Sequence, residues 1–218
     1  MEMENRKLLV EGAKTFGVDL DQRMVEAFDI YLQELFKWNQ KINLTAIRTE
    51  KGIVLKHFLD SLSAYPYLSH VSTLFDIGSG AGFPGIPLKM VQPSIEVTLI
   101  DSVRKKVDFQ GHIIRQLGLR GIDAIHGRVQ DKEVLQRMEG QFDGAISRAF
   151  TDLRTLLILS LPLLKEGGIV IAMKSEVSHQ ETQLSSEIKG TPYRLQKRVS
   201  LTLPASSFKR TILLFERE

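Results

Sequence analysis

A glycine-rich stretch between two short apolar runs constrains the fold of this chain most strongly. Residues 73–101 read TLFDIGSGAGFPGIPLKMVQPSIEVTLID, and both end segments are rich in β-branched or aromatic residues. Gly78, Gly80 and Gly82 follow the first run, and Asp101 ends the second. Strand, glycine turn, helix, strand and terminal acid is the order of a nucleotide-binding βαβ unit. Because glycines let the backbone approach a ligand closely, we expect this turn to bind a nucleotide-like molecule.

The residues around the glycines favour S-adenosylmethionine (SAM) over a dinucleotide. A pyrophosphate-binding turn has a third glycine where this chain has Phe83. Asp76 precedes the turn, and an acid suits the amino group of SAM better than it suits a phosphate. We therefore predict that Asp76, Gly78 and Gly80 contact SAM and that Asp101 accepts hydrogen bonds from its ribose. In the alternative interpretation, Asp76 is a structural acid at the end of the strand and the glycines form a turn only.

The composition excludes several classes of protein. The 218 residues include no cysteine, so disulfides, thiolate metal sites and cysteine nucleophiles are absent. No apolar run approaches the length of a membrane span, and the N-terminus lacks the apolar core of a signal peptide. We expect a cytoplasmic monomer that binds neither a membrane nor a metal ion.

Alternating strand-like and helix-like segments predict an α/β fold. The predicted strands are residues 73–77, 97–100, 122–125, 142–146 and 169–173, followed by a hairpin-like pair at 193–203 and 209–216. Helices are predicted at 153–164, closed by Gly167 and Gly168, and at 176–189; another begins near Ser102 with Val103 facing inward. The terminal pair is typical of a Rossmann-like class I SAM-dependent methyltransferase fold, a mostly parallel sheet with a C-terminal antiparallel strand and helices on both faces. We predict an N-terminal helical extension (1–70) packed on a methyltransferase domain (71–218).

Ligand contacts in such a sheet gather at the carboxyl ends of its strands. Val129 and Gln130 follow the third predicted strand and suit an adenine. Arg148 follows the fourth, where it could contact an RNA phosphate or the methionine carboxylate of SAM, or pair with a neighbouring acid. In the N-terminal part, His57, Asp60 and Ser61 share one side of a predicted helix and could line a pocket.

Basic residues indicate a polyanionic partner. Residues 188–215 contain six lysines and arginines and no acid, including Lys197, Arg198 and Arg210. Lys105 and Lys106 lie near the start of a predicted helix, where the helix dipole does not favour cations. We predict that these five residues contact RNA phosphates. The alternative is that the terminal residues form a solvated sheet edge.

Several motifs resemble the RsmG family, also called glucose-inhibited division protein B. They are D-I-G-S-G-A-G-F-P-G-I-P-L (76–88), L-I-D-S (99–102), K-K-V-x-F (105–109), G-R-V-Q-D (127–131), S-R-A-F (147–150) and M-K-S (173–175), with N-L-T (43–45) and H-F-L-D-S (57–61) before them. Gln110, where many relatives have leucine, departs mildly from the family pattern and puts nothing important in doubt.

The resemblance implies methyl transfer from SAM to N7 of a guanosine in 16S ribosomal RNA. It implies cofactor contacts at Gly78, Phe83, Val129, Gln130 and Arg148. Guanine N7 has a lone pair and no proton, so the reaction needs alignment of the reacting atoms and no general base. We predict that Arg128, Arg148 and Lys174 act at the reaction centre, on RNA phosphate, guanine O6 or the SAM carboxylate. The alternatives are a methyltransferase of a small metabolite, a SAM-binding ribosome assembly factor without catalysis and, more distantly, a nicotinamide enzyme.

Overall fold

The structure is a computed structural model that describes residues 1–148, 152–175 and 190–218. Its described strands are β1 (Thr73–Ile77), β2 (Glu96–Asp101), β3 (Ile122–His126), β4 (Phe142–Ser147), β5 (Leu164–Lys174), β6 (Tyr193–Thr202) and β7 (Lys209–Arg217). They form one sheet in the order β3-β2-β1-β4-β5-β7-β6. Strands β1 to β5 pair in parallel, whereas β7 runs antiparallel to both β5 and β6. This arrangement confirms the prediction of five parallel strands followed by a reversed strand beside a sixth.

The described α-helices are α1 (Met3–Lys14), α2 (Gln22–Asn39), α3 (Glu50–Ile53), α4 (Asp60–Leu62), α5 (Gly85–Val91), α6 (Arg104–Gln116), α7 (Lys132–Met138) and α8 (Leu153–Ser160). A π-helix (Val54–Leu59) joins α3 to α4, and a 3₁₀-helix (Tyr65–Tyr67) precedes β1. In the described part of the chain, no helix combines the length and apolar character needed to cross a membrane.

The main differences from the predicted boundaries lie at the junction of α8 with β5 and at the start of α6. Helix α8 ends at Ser160 because Leu164 already pairs with Phe142 of β4, so the predicted helix to residue 164 was too long. The two glycines predicted to close that helix lie within β5, where the pairing register shifts before Ile169. Val103, predicted to face inward, lies before α6 and is 44% exposed. The helix predicted at 176–189 lies outside the described residues.

The N-terminal helices share a hydrophobic core with the sheet. One side of α2 is buried and includes Phe28 and Tyr31. The Phe28 ring lies 4.9 Å from the Phe58 ring of the π-helix, and the Tyr31 ring stacks on Phe83 at 5.2 Å. These contacts agree with an extension that packs on the sheet, while the predicted division at residue 70 stays a prediction.

Candidate cofactor and acceptor site

The glycine turn after β1 has backbone dihedral angles that favour glycine at three positions. Gly78, Gly80 and Gly82 all have positive φ, at 71°, 60° and 92°. A Cβ atom added to Gly78 would meet nothing within 4 Å, whereas one added to Gly82 would lie 2.4 Å from Cδ1 of Ile86. Gly82 therefore allows close packing inside the protein, and Gly78 leaves open space beside the turn.

Side chains from two distant helices hold this turn. Gln110 of α6 is fully buried, and its Nε2 donates to Ser79 Oγ (2.8 Å) and to the Gly80 carbonyl (2.7 Å). From α2, the Tyr31 hydroxyl donates to the carbonyl of Ala81 (2.5 Å). The departure at Gln110 leaves the family likeness intact, but its amide has a structural role that was not predicted from the sequence, because it supports the turn. The signal in the sequence was a polar side chain at an inward position of an amphipathic helix.

Replacing Tyr31 with phenylalanine tests this support. The ring can still stack on Phe83, but the buried carbonyl of Ala81 loses the hydroxyl that binds it. We expect the free energy of unfolding to fall by about 1–3 kcal/mol and the affinity for SAM to fall with it. Urea unfolding and calorimetric titration measure the two quantities, with Tyr65→Phe as the matched control. A Tyr31→Phe protein as stable as the wild type would contradict the assigned role.

Asp101 connects the turn to the start of α6. It lies at the carboxyl end of β2 and is 6% exposed. Its Oδ2 accepts from the Gly80 N–H (2.9 Å) and its Oδ1 accepts from the Val103 N–H (2.8 Å), while Lys106 Nζ lies 3.8 Å from Oδ2. Since each carboxylate oxygen has two lone pairs, both can still accept a hydrogen bond. Its contact with the ribose of SAM stays a prediction.

Asp76 lies fully buried beneath the turn. Its Oδ2 accepts from the Gly85 N–H (2.8 Å), and its Oδ1 has no hydrogen-bond partner among the described residues. Burial raises the pKa of this carboxyl to about 7, although the Gly85 N–H and the charge of Arg148 act in the opposite direction. The unsatisfied buried oxygen of Asp76 suits a ligand with a hydrogen-bond donor such as an amino group, and Gly78 leaves room for a ligand beside the turn.

The aromatic residue of the glycine motif is packed inside the site. Phe83 is 3% exposed, and its ring is stacked with Tyr31 and, at 4.5 Å and 4° between planes, with His57. The guanidinium carbon of Arg148 lies 5.1 Å from the centre of the same ring. Phe83 thus links the turn to the N-terminal helices, and its predicted contact with SAM stays a prediction.

Arg148 is held by the π-helix region. Its Nη1 donates to the Lys56 carbonyl (2.9 Å) and lies 3.4 Å from Asp60 Oδ2, while its Nη2 donates to His57 Nδ1 (2.8 Å). The other oxygen of Asp60 accepts from Arg210 Nε (2.7 Å). The pairing with a neighbouring acid, left open by the sequence, is therefore present. It occurs beside the glycine turn, where Arg148 also faces Phe83.

His57 is a neutral acceptor in this arrangement. Because an arginine can only donate, Nδ1 of His57 must accept, and its Nε2–H therefore donates to Thr45 Oγ1 (2.7 Å). Burial lowers the pKa of His57 to about 3, and the charges of Arg148 and Arg210 contribute in the same direction. His57 orients Arg148, whereas the hydroxyl of Ser61 donates to the His57 carbonyl within the helix.

The pH dependence of stability tests the buried Asp76. Its folded pKa of about 7 exceeds the usual 3.8, so folded Asp76 keeps a proton that the unfolded chain has lost. Its contribution to the free energy of unfolding is fully present below about pH 4 and declines as the pH rises to 7, by at most about 1.4 kcal/mol per unit. Asp76→Asn lacks this titration, so its stability relative to the wild type should rise from pH 4 to 7 and then level off. Urea unfolding of both proteins across this pH range measures the difference in their free energies of unfolding. The opposite contribution of His57 is common to both proteins and cancels in that difference. A difference that does not change with pH would contradict the raised pKa of Asp76.

The structure gathers some of the predicted site residues and separates others. Arg148, Lys174 and Arg210 line one cavity of about 230 Å³. Arg128 follows β3, which lies three strands from β4, a distance of about 14 Å at the usual strand spacing. The proposed action of Arg128 beside Arg148 therefore lacks support from the geometry and stays a prediction.

The remaining predicted contacts lie after β3, at the start of α6 and in β6, which contains both Lys197 and Arg198. Val129, 3% exposed, and the exposed Gln130 follow β3, on the side of the sheet predicted for the adenine. Lys105 and Lys106 lie at the start of α6, near Asp101. Lys197 lines a separate cavity with Lys165 near the beginning of β5, away from Lys174 at its end. Arg198 lies in β6 opposite Leu213.

Within the described ranges, no group of three or more histidine or acidic side chains could hold a metal ion.

The reversed β7, the glycine turn after β1 and the acid ending β2 define a Rossmann-like class I SAM-dependent methyltransferase. Solved structures agree on the fold. TrmN from Thermus thermophilus aligns with a TM-score of 0.55 over 76% of this chain and 53% of its own, at 14% identity. TYW2 from M. jannaschii, solved in complex with AdoMet, aligns with a TM-score of 0.54 over 73% of this chain and 77% of its own, at 15% identity.

Sequence comparison identifies the family. The family model of GidB, rRNA small subunit methyltransferase G, matches residues 24–206. The ribosomal RNA small subunit methyltransferase G of Geobacter metallireducens is 41% identical over 100% of this chain and 99% of its own length. That of Acetivibrio thermocellus is 38% identical over 99% and 90%, respectively. The chain therefore belongs to the rRNA small subunit methyltransferase G family, which confirms the resemblance.

Proposed function

We propose that this protein transfers the methyl group of SAM to N7 of a guanosine in 16S ribosomal RNA of the small subunit. Its family membership supports the substrate class. When bound, SAM supplies an electrophilic methyl group on its sulfonium. Glycine-turn residues and Asp101 would hold the nucleoside part, with Val129 and Gln130 near the adenine. We infer that it acts in the cytoplasm, because the small ribosomal subunit is cytoplasmic; its being a monomer stays a prediction.

The observation that carries this proposal is the fixed guanidinium of Arg148 beside the glycine turn. It is oriented by Asp60 and by a neutral His57, whose two ring nitrogens are both engaged. Such a site offers positioned positive charge, and His57 is not available as a proton acceptor because its Nδ1 accepts from Arg148 and its Nε2–H donates to Thr45. That matches attack by guanine N7, which releases no proton, and the accommodation of an anionic RNA.

A radiolabelled methyl-transfer assay tests the proposal. Small-subunit particles, naked 16S RNA and a mixture of small metabolites are offered separately with labelled SAM. We expect label in the RNA of one of the first two substrates and, after nuclease digestion, in 7-methylguanosine. Label in a metabolite would favour the small-molecule alternative. Binding of SAM and of the subunit without transfer would favour a non-catalytic assembly factor, and calorimetric titration with NAD would detect a nicotinamide enzyme.

A further inference from the structure

We propose that the cavity beside Asp60 binds a phosphodiester group of the RNA next to the target guanosine. This inference rests on the proposed function. The cavity, hereafter the anion cavity, lies between the π-helix region and the carboxyl ends of β4 and β5. Its lining includes four cationic side chains and one carboxylate, from Lys56, Asp60, Arg148, Lys174 and Arg210.

Arg148 and Arg210 share the single carboxylate among the described residues that line the anion cavity. Asp60, 3% exposed, divides its two oxygens between Arg210 (2.7 Å) and Arg148 (3.4 Å). Asp76 also acts on Arg148 from beneath the glycine turn, but its pKa of about 7 leaves it only partly ionised at neutral pH. The two guanidiniums, whose side chains are 14% and 19% exposed, therefore share less negative charge than the two positive charges they carry. No other acid is among the described residues that line the cavity. Because unbalanced charge in a desolvated place is costly, the cavity favours an anion from outside.

Arg148 and Lys56 both make defined contacts with other residues of the protein. Arg148 is held by the Lys56 carbonyl, by Asp60 and by the neutral ring of His57. The Nζ atom of Lys56 lies 4.0 Å from the centre of the Phe208 ring. Guanidiniums have a fixed planar array of donors that matches phosphate oxygens, and prior ordering reduces the entropy lost on binding.

Size and place indicate which anion is bound. The volume of about 230 Å³ is below the roughly 300–1,000 Å³ of pockets for drug-sized ligands, so it suits one phosphate group better than a whole nucleoside. The cavity lies on the β4–β5 side of β1, whereas Asp101 and the predicted ribose lie on the β2 side. The methionine carboxylate of SAM is the other anion that could reach this region, and the experiment separates the two.

Replacing Lys56 with methionine tests the inference. This change removes one charge but keeps an unbranched stem near Phe208 and leaves the Arg148–Asp60–Arg210 contacts in place. RNA affinity is measured on 16S RNA over a series of KCl concentrations, and SAM affinity by calorimetry. We expect the salt slope to fall by about 0.7–0.9, which corresponds to an RNA affinity about fivefold weaker near physiological salt. The SAM affinity should be unchanged.

Lys14→Met is the matched control, because Lys14 is an exposed lysine at the end of α1. It should bind RNA like the wild type. Wild-type affinity and salt slope in Lys56→Met would overturn the inference. Weaker SAM binding with unchanged RNA binding would also overturn it, in favour of the SAM carboxylate. Thermal unfolding checks the fold, and Lys56→Gln replaces the methionine variant if that variant does not fold. Since these readouts measure binding, they remain decisive even if the transfer assay excludes RNA methylation.

Discussion

Gly78→Ala should weaken SAM binding by about 10–100-fold while the protein remains folded. The added Cβ meets no protein atom within 4 Å, so it projects into the space beside the turn. If the ligand occupies that space, a methyl group there must displace it, at the cost of about 1–3 kcal/mol that is typical of overpacking. The positive φ of 71° adds strain of about 1–2 kcal/mol to the folded state. Calorimetry with SAM and thermal unfolding measure the two effects separately.

Gly17→Ala is a matched control for this experiment. Gly17 has a φ of 76° and, like Gly78, has nothing within 4 Å of an added Cβ, but it lies just beyond α1. It should lose a similar amount of stability and keep wild-type affinity for SAM. Gly85→Ala should instead lower stability through a steric clash, since its Cβ would lie 2.3 Å from Leu99 Cδ2 and disrupt the packing beneath the turn. If Gly78→Ala binds SAM as well as Gly17→Ala does, the site beside this turn is wrong.

Local sequence patterns predicted most of the sheet. The bounds of β1 were predicted correctly, because its short apolar run ends directly before Gly78, where the glycine turn begins. The terminal hairpin predicted the reversed β7 for the same local reason. The boundary between α8 and β5 was not predicted, although Pro162 beside it disfavours a continuing helix. Leucines at 161, 163 and 164 suit either a helix or a strand, and pairing with β4 decides between them.

The site was less predictable because distant residues form it. Glycines, acids and arginines at strand ends could be located from the alternation of elements. The partners could not be, since Tyr31 is 50 residues from Ala81 and Asp60 is 150 residues from Arg210. The spacing of apolar residues along the sequence does not indicate which distant side chains form hydrogen bonds with each other. Arg128 and Arg148 were predicted to act together, and their separation could not be foreseen because it depends on the order of the strands in the sheet.

Arg148→Ala should lower kcat/KM for methyl transfer by about 10²–10³-fold, as expected when one preorganised charged donor is removed from a reaction centre. The free energy of unfolding should fall by about 1–3 kcal/mol, because the Lys56 carbonyl and His57 Nδ1 each lose a donor. Asp60 keeps Arg210, so the fold should survive. Single-turnover methylation of 16S RNA with labelled SAM and urea unfolding measure the two quantities. Arg120→Ala, which removes an exposed arginine outside the site, is the control.

Arg148→Lys separates charge from geometry at this position. A lysine keeps the positive charge near Asp60 and the Phe83 ring, but a single ammonium lacks the planar fork that reaches both the Lys56 carbonyl and His57 Nδ1. If the fixed direction of the guanidinium matters, the lysine variant should recover RNA affinity and its salt dependence while its single-turnover rate stays well below that of the wild type. Full recovery of the rate would mean that Arg148 contributes only its positive charge and not the direction of its guanidinium. Wild-type turnover by Arg148→Ala would remove it from the reaction centre, because the contacts to Asp60 and His57 would then serve packing alone.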